Sequence, residues 1–404
     1  MALMPVDEAL SRVTGDAKPV TRTETLTLGE AAGRVLARDL VALRTQPPFS
    51  ASAMDGYAVR SADVTEPGAE LELIGESAAG HGFEGTLRTG QTVRIFTGAP
   101  LPDGADSIVI QEDTETLEGG RVRMGVSAAE GKHVRLAGVD FTKGRAGLAA
   151  GRFLDPGAIT LAAAMNHPRV EVHARPKVAI LATGDELKLP GEELGPGQII
   201  ASNTYGIAAM VRAAGGEVID LGIARDDMQA LDAALDSALT QGADVLVTVG
   251  GASVGDHDLV QDALRNRGMS LDFWKIAMRP GKPLMSGRLG DMKVLGLPGN
   301  PASSLVCGYL FLEPLVALLA GRAVPRRLRK AFLGNALPEN GERQDYMRGR
   351  LSLNAEGQMI ASSFQLQDSS LMSVFADADC LIVRPPFAPA AHTGDETDVL
   401  VLSA

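Results

Sequence analysis

Between residues 177 and 319 the spacing of apolar positions alternates between two periods. Short runs that are apolar at nearly every position predict strands covered on both faces: Lys177–Ala182, Glu217–Ile223, Val245–Val249, Asp272–Met278 and Lys293–Leu297. Between them apolar residues recur at helical spacing. One helix carries Ile207, Met210, Val211 and Ala214, with Asn203 as its N-cap and Gly215-Gly216 at its end. A second carries Leu231, Leu235 and Leu239, a third Leu259, Val260, Ala263 and Leu264, and Pro301 opens a last one that runs to about Leu319. Strands alternating with helices imply a mostly parallel sheet with helices on both faces. Such sheets hold their ligands beyond the C-terminal ends of the strands.

The flanking regions have other patterns. Pro5–Val13 predicts a short amphipathic helix and Leu28–Leu40 a second helix, while Pro47 and Pro48 make residues 44–50 extended. Residues 71–139 interleave short apolar runs with Gly and Pro, as a small β-rich domain does. The Ala-rich stretch within 151–175 predicts a connector packed on the Leu28 helix. After Pro325, the basic run Arg326-Arg327-Leu328-Arg329-Lys330 reads as a solvated linker, and residues 331–404 as a small barrel or sandwich.

Composition narrows the chemistry. The 404 residues suffice for several domains, and a net charge of −12 argues against a general nucleic-acid binder. Two cysteines, Cys307 and Cys380, in unrelated contexts fit a reducing compartment and supply no zinc motif. The stretch Gly308–Ala320 is interrupted by Glu313 and Pro314 and is too short to cross a bilayer, and the N-terminus has no signal-peptide core. The expectation is a cytoplasmic protein.

The turns that follow the predicted strands hold the polar groups. Glycines and Ser253 follow Val249: Gly250, Gly251 and Gly255 break the chain before a helix, an arrangement that suits an anion and also a plain structural turn. Carboxylates come from Glu186, Asp226, Asp227, Asp256 and Asp258, and donors from Ser253, Arg279, Lys282, Ser303 and Ser304. Acids beside anion-binding donors are unfavourable unless a divalent cation lies between them, so the set reads as a Mg²⁺-phosphate site acting at a phosphoanhydride. Asp227 and Asp258 read as loop or N-cap residues; Glu186, Asp226 and Asp256 read as functional and as the metal ligands. None of the six histidines stands in a zinc or nucleophile-base motif. Trp274 reads equally as a core residue or as part of a pocket for a planar ligand.

Six motifs occur in order: Ser52-Ala53-Met54-Asp55-Gly56-Tyr57-Ala58, Phe96-Thr97-Gly98-Ala99-Pro100, Thr183-Gly184-Asp185-Glu186-Leu187, Gly250-Gly251-Ala252-Ser253-Val254-Gly255-Asp256, Arg279-Pro280-Gly281-Lys282-Pro283 and Leu297-Pro298-Gly299-Asn300-Pro301. Together they resemble the molybdopterin molybdenumtransferase (molybdenum insertase) family, which also forms the C-terminal part of gephyrin. The resemblance implies an α/β plus β fold: a parallel-sheet, three-layer molybdopterin-binding domain (1–22 and 175–323), a β-rich domain (44–140), an elongated linker domain (23–43 and 141–174) and a C-terminal β-barrel (324–404). It implies insertion of molybdate into molybdopterin-AMP with release of AMP, Mg²⁺ as cofactor, and a homodimer whose site lies between subunits. An upstream adenylyltransferase and downstream molybdoenzymes are the implied partners. Carried over by motif, Asp55, Thr97, Asp140, Glu186 and Asp226 are the catalytic set. Thr183, Gly184, Asp185, Gly250, Gly251, Ser253, Gly255, Asp256, Arg279, Lys282, Pro298, Asn300, Pro301 and Ser303 are the substrate-binding set. The chain departs from the pattern at Val139, where an acid is expected before Asp140, and at Gln367–Leu371, which lacks a glycine.

Two other functions remain open at this stage. A molybdopterin adenylyltransferase shares the α/β motifs but lacks the N-terminal half with Asp55. A non-catalytic carrier or scaffold needs none of the carboxylates.

Overall fold

The computed structural model describes residues 3–251 and 259–402. The chain forms two compact units, one of residues 25–172 and one of residues 1–24 with 173–404.

The larger unit contains α1 (Val6–Thr14), then β1 (Lys177–Thr183), α2 (Asn203–Ala214), β2 (Glu217–Ala224), α3 (Met228–Thr240), β3 (Val245–Val249), α4 (Leu259–Asn266), β4 (Ser270–Lys275), β5 (Pro283–Leu289), β6 (Met292–Leu297) and α5 (Pro301–Leu319). The sheet order is β2-β1-β3-β6-β5-β4. The first four strands are parallel, whereas β5 and β4 are added antiparallel. Alternate residues of each strand go to opposite faces. Val178, Ile180, Val245, Val247 and Leu295 pack with α1, α2 and α5, and Ala179, Leu181, Leu246 and Val294 pack with α3 and α4. Each fully buried Val or Leu side chain here contributes about 1.5–3 kcal/mol relative to exposure.

The β5 strand escapes sequence reading because Ser286, Gly287 and Arg288 interrupt its apolar run. The expected strand to Met278 ends instead at Lys275, and Met278–Arg279 pairs with Gln344–Asp345. Asn203 does not cap α2: Ser202 holds that position, and the Asn203 amide donates to the Gly299 carbonyl at 2.7 Å. Asp227 does cap α3, accepting from the Ala230 N–H at 2.8 Å. Removing such a cap costs about 1 kcal/mol, so Asp227→Ala is expected to lower the unfolding free energy by that amount in a denaturant titration. Trp274 packs against the α3–α4 core and does not reach the cleft described below.

Helix α5 is apolar and long enough to span a bilayer, yet 83% of its most apolar window is buried inside the protein, as befits a core helix. Its middle widens into a π-helical turn, Gly308–Leu312. That turn ends two residues before Pro314, which has no N–H to give to the helical ladder.

The segment after α5 builds a barrel from β7 (Leu328–Leu333), β8 (Gln344–Leu353), β9 (Met359–Ser363), β10 (Cys380–Arg384) and β11 (Glu396–Val401). The order β8-β9-β7-β11-β10 closes through a β8–β10 pairing. Cys380 and Ile382 point into the barrel, while Leu381 and Val383 alternate outward onto the α5 core, with Tyr346 and Leu400 beside them. The basic run before β7 is not all solvated linker. Arg327 is 11% exposed and makes a bidentate pair with Glu313, itself 4% exposed.

The smaller unit is built on a six-stranded sheet in the order Ser107–Ile110, Gly56–Val59, Gln91–Ile95, Glu70–Ser77, Arg121–Met124, Thr114–Leu117. Tyr57 and Val59 face one small core and Ala58 the other. A further cluster gathers Leu36, Leu154, Ala158, Ala162 and Val172. The connector expected from the Ala-rich stretch is present as the helix Pro156–Ala164, and it packs against the Leu28 segment. The helix expected over Leu28–Leu40 is a single turn, Leu28–Ala31, closed by a capping box between Thr27 and Glu30. Gly33, at φ 75°, turns the chain, and Val35 and Leu36 then bridge to Phe153 and Val172 as extended backbone.

Candidate functional site

The larger unit carries a cleft of about 1120 Å³ at the C-terminal ends of β1, β2, β3 and β6. Four of the turns predicted to converge do so. Thr183, Gly184 and Glu186 after β1, Asp226 after β2, Gly250 and Gly251 after β3, and Pro298, Asn300 and Pro301 after β6 all line it. Parallel strands bring these turns together, because each strand ends at the same edge of the sheet.

Glycine is required at these turns by contact as well as by backbone angle. At Gly250 (φ 97°) a Cβ would stand 2.6 Å from the Thr183 carbonyl oxygen, and at Gly251 (φ 63°) 2.4 Å from Val260 Cγ2. At Gly184 (φ 145°) a Cβ would lie 2.5 Å from Glu186 Oε2, so the glutamate carboxylate folds back over a bare Cα. The Glu186 backbone is tied by its carbonyl, which accepts from the Ile199 N–H at 2.8 Å. The Thr183 hydroxyl is buried and has no hydrogen-bond partner among the described residues.

The electrostatics of the cleft are one-sided. The Asp226 N–H donates to Asp185 Oδ1 at 3.3 Å. Partial desolvation first, then the charges of Asp185 and Glu186, raise the Asp226 carboxyl above the usual carboxylate range. No Lys or Arg lines the cleft among the described residues. Arg279 is not part of its wall: its guanidinium is held by the Asp345 carboxylate at the start of β8. Lys282 is exposed and lies outside the wall, which at this edge is supplied by Pro283. Ser303 is buried in the first turn of α5 and also stays behind the wall. Asp185 stands next to the lining residues without being one of them. Ser253, Gly255 and Asp256 lie outside the described residues, as do Asp258 and His257. Among the described residues no three His, Cys, Asp or Glu side chains are grouped to hold a metal; the expected set of Glu186, Asp226 and Asp256 includes Asp256, which lies outside them.

The motifs did not point to two other parts of the wall. One is the segment Ile199–Thr204, entering α2. The other is Ser370 and Met372, from the loop before β10 and the short helix Met372–Ala376 that it opens. That loop is docked on α5, since Ala302 N–H donates to the Ser369 carbonyl at 3.0 Å, and Ser202 Oγ lies 3.3 Å from Met372 Sδ across the cleft mouth. Ser370 falls in the stretch Gln367–Leu371, where the chain departs from the family pattern, but no local signal places it or Met372 at the cleft, because that depends on where the barrel sits on α5.

In the smaller unit, Asp55 Oδ1 accepts from both the Thr97 N–H and the Thr97 hydroxyl, each at 2.7 Å. These bonds, aided by the Arg94 charge, hold the Asp55 carboxyl below its usual range. Asp140 is exposed on a loop whose backbone bonds to Gln46, through its N–H at 3.2 Å.

Comparison with known proteins bears on the whole chain. Residues 4–166 match the MoeA N-terminal region (domain I and II), 179–317 a probable molybdopterin binding domain, and 330–402 the MoeA C-terminal region (domain IV). A molybdopterin molybdenumtransferase of Haemophilus influenzae is 36% identical over 383 residues, 94% of each chain. One from Bacillus subtilis is 33% identical, covering 99% of this chain and 94% of that one. The crystal structure of a molybdopterin biosynthesis MoeA protein from Pyrococcus horikoshii superposes with a TM-score of 0.85 at 31% identity, covering 100% of both chains. With the fold, all three regions and full-length relatives in agreement, the chain belongs to the molybdopterin molybdenumtransferase family.

Proposed function

We propose that this protein inserts molybdate into molybdopterin-AMP and releases AMP. One observation carries the reading. The cleft sets two acids, Glu186 and Asp226, against turns of bare backbone at Gly250–Gly251 and Pro298–Pro301, with no basic side chain among the described lining residues. A phosphoanhydride substrate is highly charged, so such a wall favours it only when a divalent cation lies between. The Asp226 carboxyl, raised first by partial desolvation and then by the charges of Asp185 and Glu186, fits that demand, because a bound cation would offset both. Glu186 and Asp226 would hold Mg²⁺, which when bound supplies neutralisation of phosphate oxygens. The glycine turns would let the substrate phosphates approach main-chain N–H groups without side-chain interference. The apolar side of the wall, with Ile200, Pro298 and Met372, would cover the heterocycle and exclude water.

Asp55, Thr97 and Asp140 enter the reaction on the strength of their motifs, and Ser253, Arg279, Lys282 and Ser303 enter as anion-binding residues on the same ground. The reading includes a homodimer, an upstream adenylyltransferase and molybdoenzyme acceptors, all implied by the family resemblance. It also places the protein in the cytoplasm, consistent with two buried free thiols, Cys307 and Cys380. A bare adenylyltransferase is disfavoured, since the relatives that cover nearly the whole chain are called molybdenumtransferases.

The test is to incubate the protein with molybdopterin-AMP, molybdate and Mg²⁺ and to follow AMP and pterin-bound molybdenum. We expect both to appear together, and Asp226→Asn to suppress both while Asp227→Ala does not. AMP release without molybdenum incorporation, or neither, would overturn the reading.

A further inference from the structure

Asp55 and Thr97 are joined by two hydrogen bonds, but those bonds do not by themselves fix the two chain segments that carry them. Backbone pairing holds the segments on either side, with Gly56 opposite Ile95 and the Gly98 N–H donating to the Ser52 carbonyl at 2.9 Å, and a third side chain ties the turn itself. Arg94 lies in the strand Gln91–Ile95, opposite Tyr57 of the strand Gly56–Val59. Its guanidinium carbon stands 4.9 Å from the Tyr57 ring centre and 5.1 Å from that of Phe96. Its Nη1 donates to the Gly56 carbonyl at 3.3 Å and its Nη2 to Gln111 Oε1 at 2.5 Å. The Gln111 N–H donates in turn to the Asp55 carbonyl at 3.1 Å. Arg94 therefore touches the residue after Asp55, the residue before Thr97 and the residue that holds the Asp55 main chain. We infer that Arg94 is a positioning residue for Asp55, clamping both arms of the Asp55–Thr97 turn in the geometry the reaction uses. This rests on the part proposed above for Asp55.

The chemistry of the side chain suits the task. A guanidinium is flat, stacks on aromatic faces and donates in several fixed directions, whereas a lysine ammonium supplies charge without the fork. The charged groups around the turn come from four elements. The strand Gly56–Val59 presents only the Tyr57 phenol, the segment Gln91–Thr97 presents Arg94, and the strand Glu70–Ser77 places the exposed Glu76 in register with Arg94 on its other side. The 3₁₀ turn Gln111–Asp113 brings Glu112, which accepts from Gln111 Nε2 at 3.3 Å, and Asp113. Asp55 itself is held ionised first by the two Thr97 bonds and then by the Arg94 charge. A carboxyl depressed in this way loses its charge only at low pH, and removing Arg94 moves that loss upward.

The experiment uses full-length Arg94→Met and Arg94→Lys proteins. The Asp55 carboxyl and the Thr97 amide are followed by NMR across pH, and kcat and KM for molybdopterin-AMP are measured over the same range. In Arg94→Met we expect the Asp55 midpoint to rise, the Thr97 amide resonance to move, the acid limb of kcat to rise with it, and kcat to fall about 10- to 100-fold at little change in KM. Arg94→Lys is expected to restore the Asp55 midpoint in part without restoring the Thr97 amide or kcat. If folded Arg94→Met leaves both the Asp55 titration and the Thr97 amide as in the parent protein, the inference is overturned. If the resonances move and the kcat profile does not, the clamp stands and the part of Asp55 in the reaction falls.

Discussion

Glu186→Gln is expected to reduce AMP release and molybdenum incorporation by about 10²–10³-fold, while leaving the fold and the melting temperature unchanged. The size follows from removing one of the two carboxylates that face the cleft where charge on the substrate must be neutralised. The exchange keeps the shape of the side chain, so the loss reports charge rather than packing. A second variant separates position from charge. Gly184→Ala introduces a Cβ that would meet Glu186 Oε2 at 2.5 Å, at a φ of 145° that only glycine takes readily. The carboxylate must then swing away, so Gly184→Ala should lose activity to a similar degree with Glu186 still present. Retention of more than about a third of the parent kcat in Glu186→Gln would remove this residue from the reaction.

The largest expected loss of stability is far from the cleft. Arg327→Met strands the Glu313 carboxylate, 4% exposed, beneath the barrel. In the parent protein both guanidinium-carboxylate bonds are 2.6 Å, the Tyr309 ring lies 5.1 Å from the guanidinium carbon, and Nη1 also donates to the Val401 and Leu402 carbonyls. Breaking a buried pair from one side costs about 3–5 kcal/mol, whereas replacing both members with apolar residues is often neutral or stabilising. Calorimetry and denaturant titration should therefore show a strong destabilisation for Arg327→Met that Glu313→Leu in the same chain largely reverses. If the double variant is no more stable than Arg327→Met, the cost comes from the lost carbonyl bonds at Val401 and Leu402 instead. The pair fastens α5, which opens at the cleft with Pro301, to the end of β11.

Different parts of this molecule were legible in the sequence to different degrees. The βα alternation from Lys177 to Leu319 could be read because each parallel strand is covered on both faces and stays apolar throughout, as β3 does with five buried residues in a row. The strand β5 could not, because an antiparallel strand near the sheet edge tolerates Ser286 and Arg288 in its run. The short turn at Leu28 carried both a capping box and apolar spacing that could continue a helix, and only Gly33 and the pairing of Val35 and Leu36 decided against it. Arg327 looked like one more solvated cation in a basic run, since nothing local says that an acid fourteen residues earlier is buried beside it.

By itself, the sequence determined that glycine-broken turns and carboxylates follow the strands of a parallel sheet, and parallel geometry then requires Thr183, Glu186, Asp226, Gly250 and Asn300 to share one edge. Tertiary structure alone decided where the cations and the far wall stand. Arg279 is paired with Asp345, and the far wall comes from Ser370 and from Met372 at the start of a short helix before β10. The reason is physical. Strand direction is set by local periodicity, but the partner of a long charged side chain and the seat of a distant loop depend on packing between segments whose separation along the chain carries no local signal.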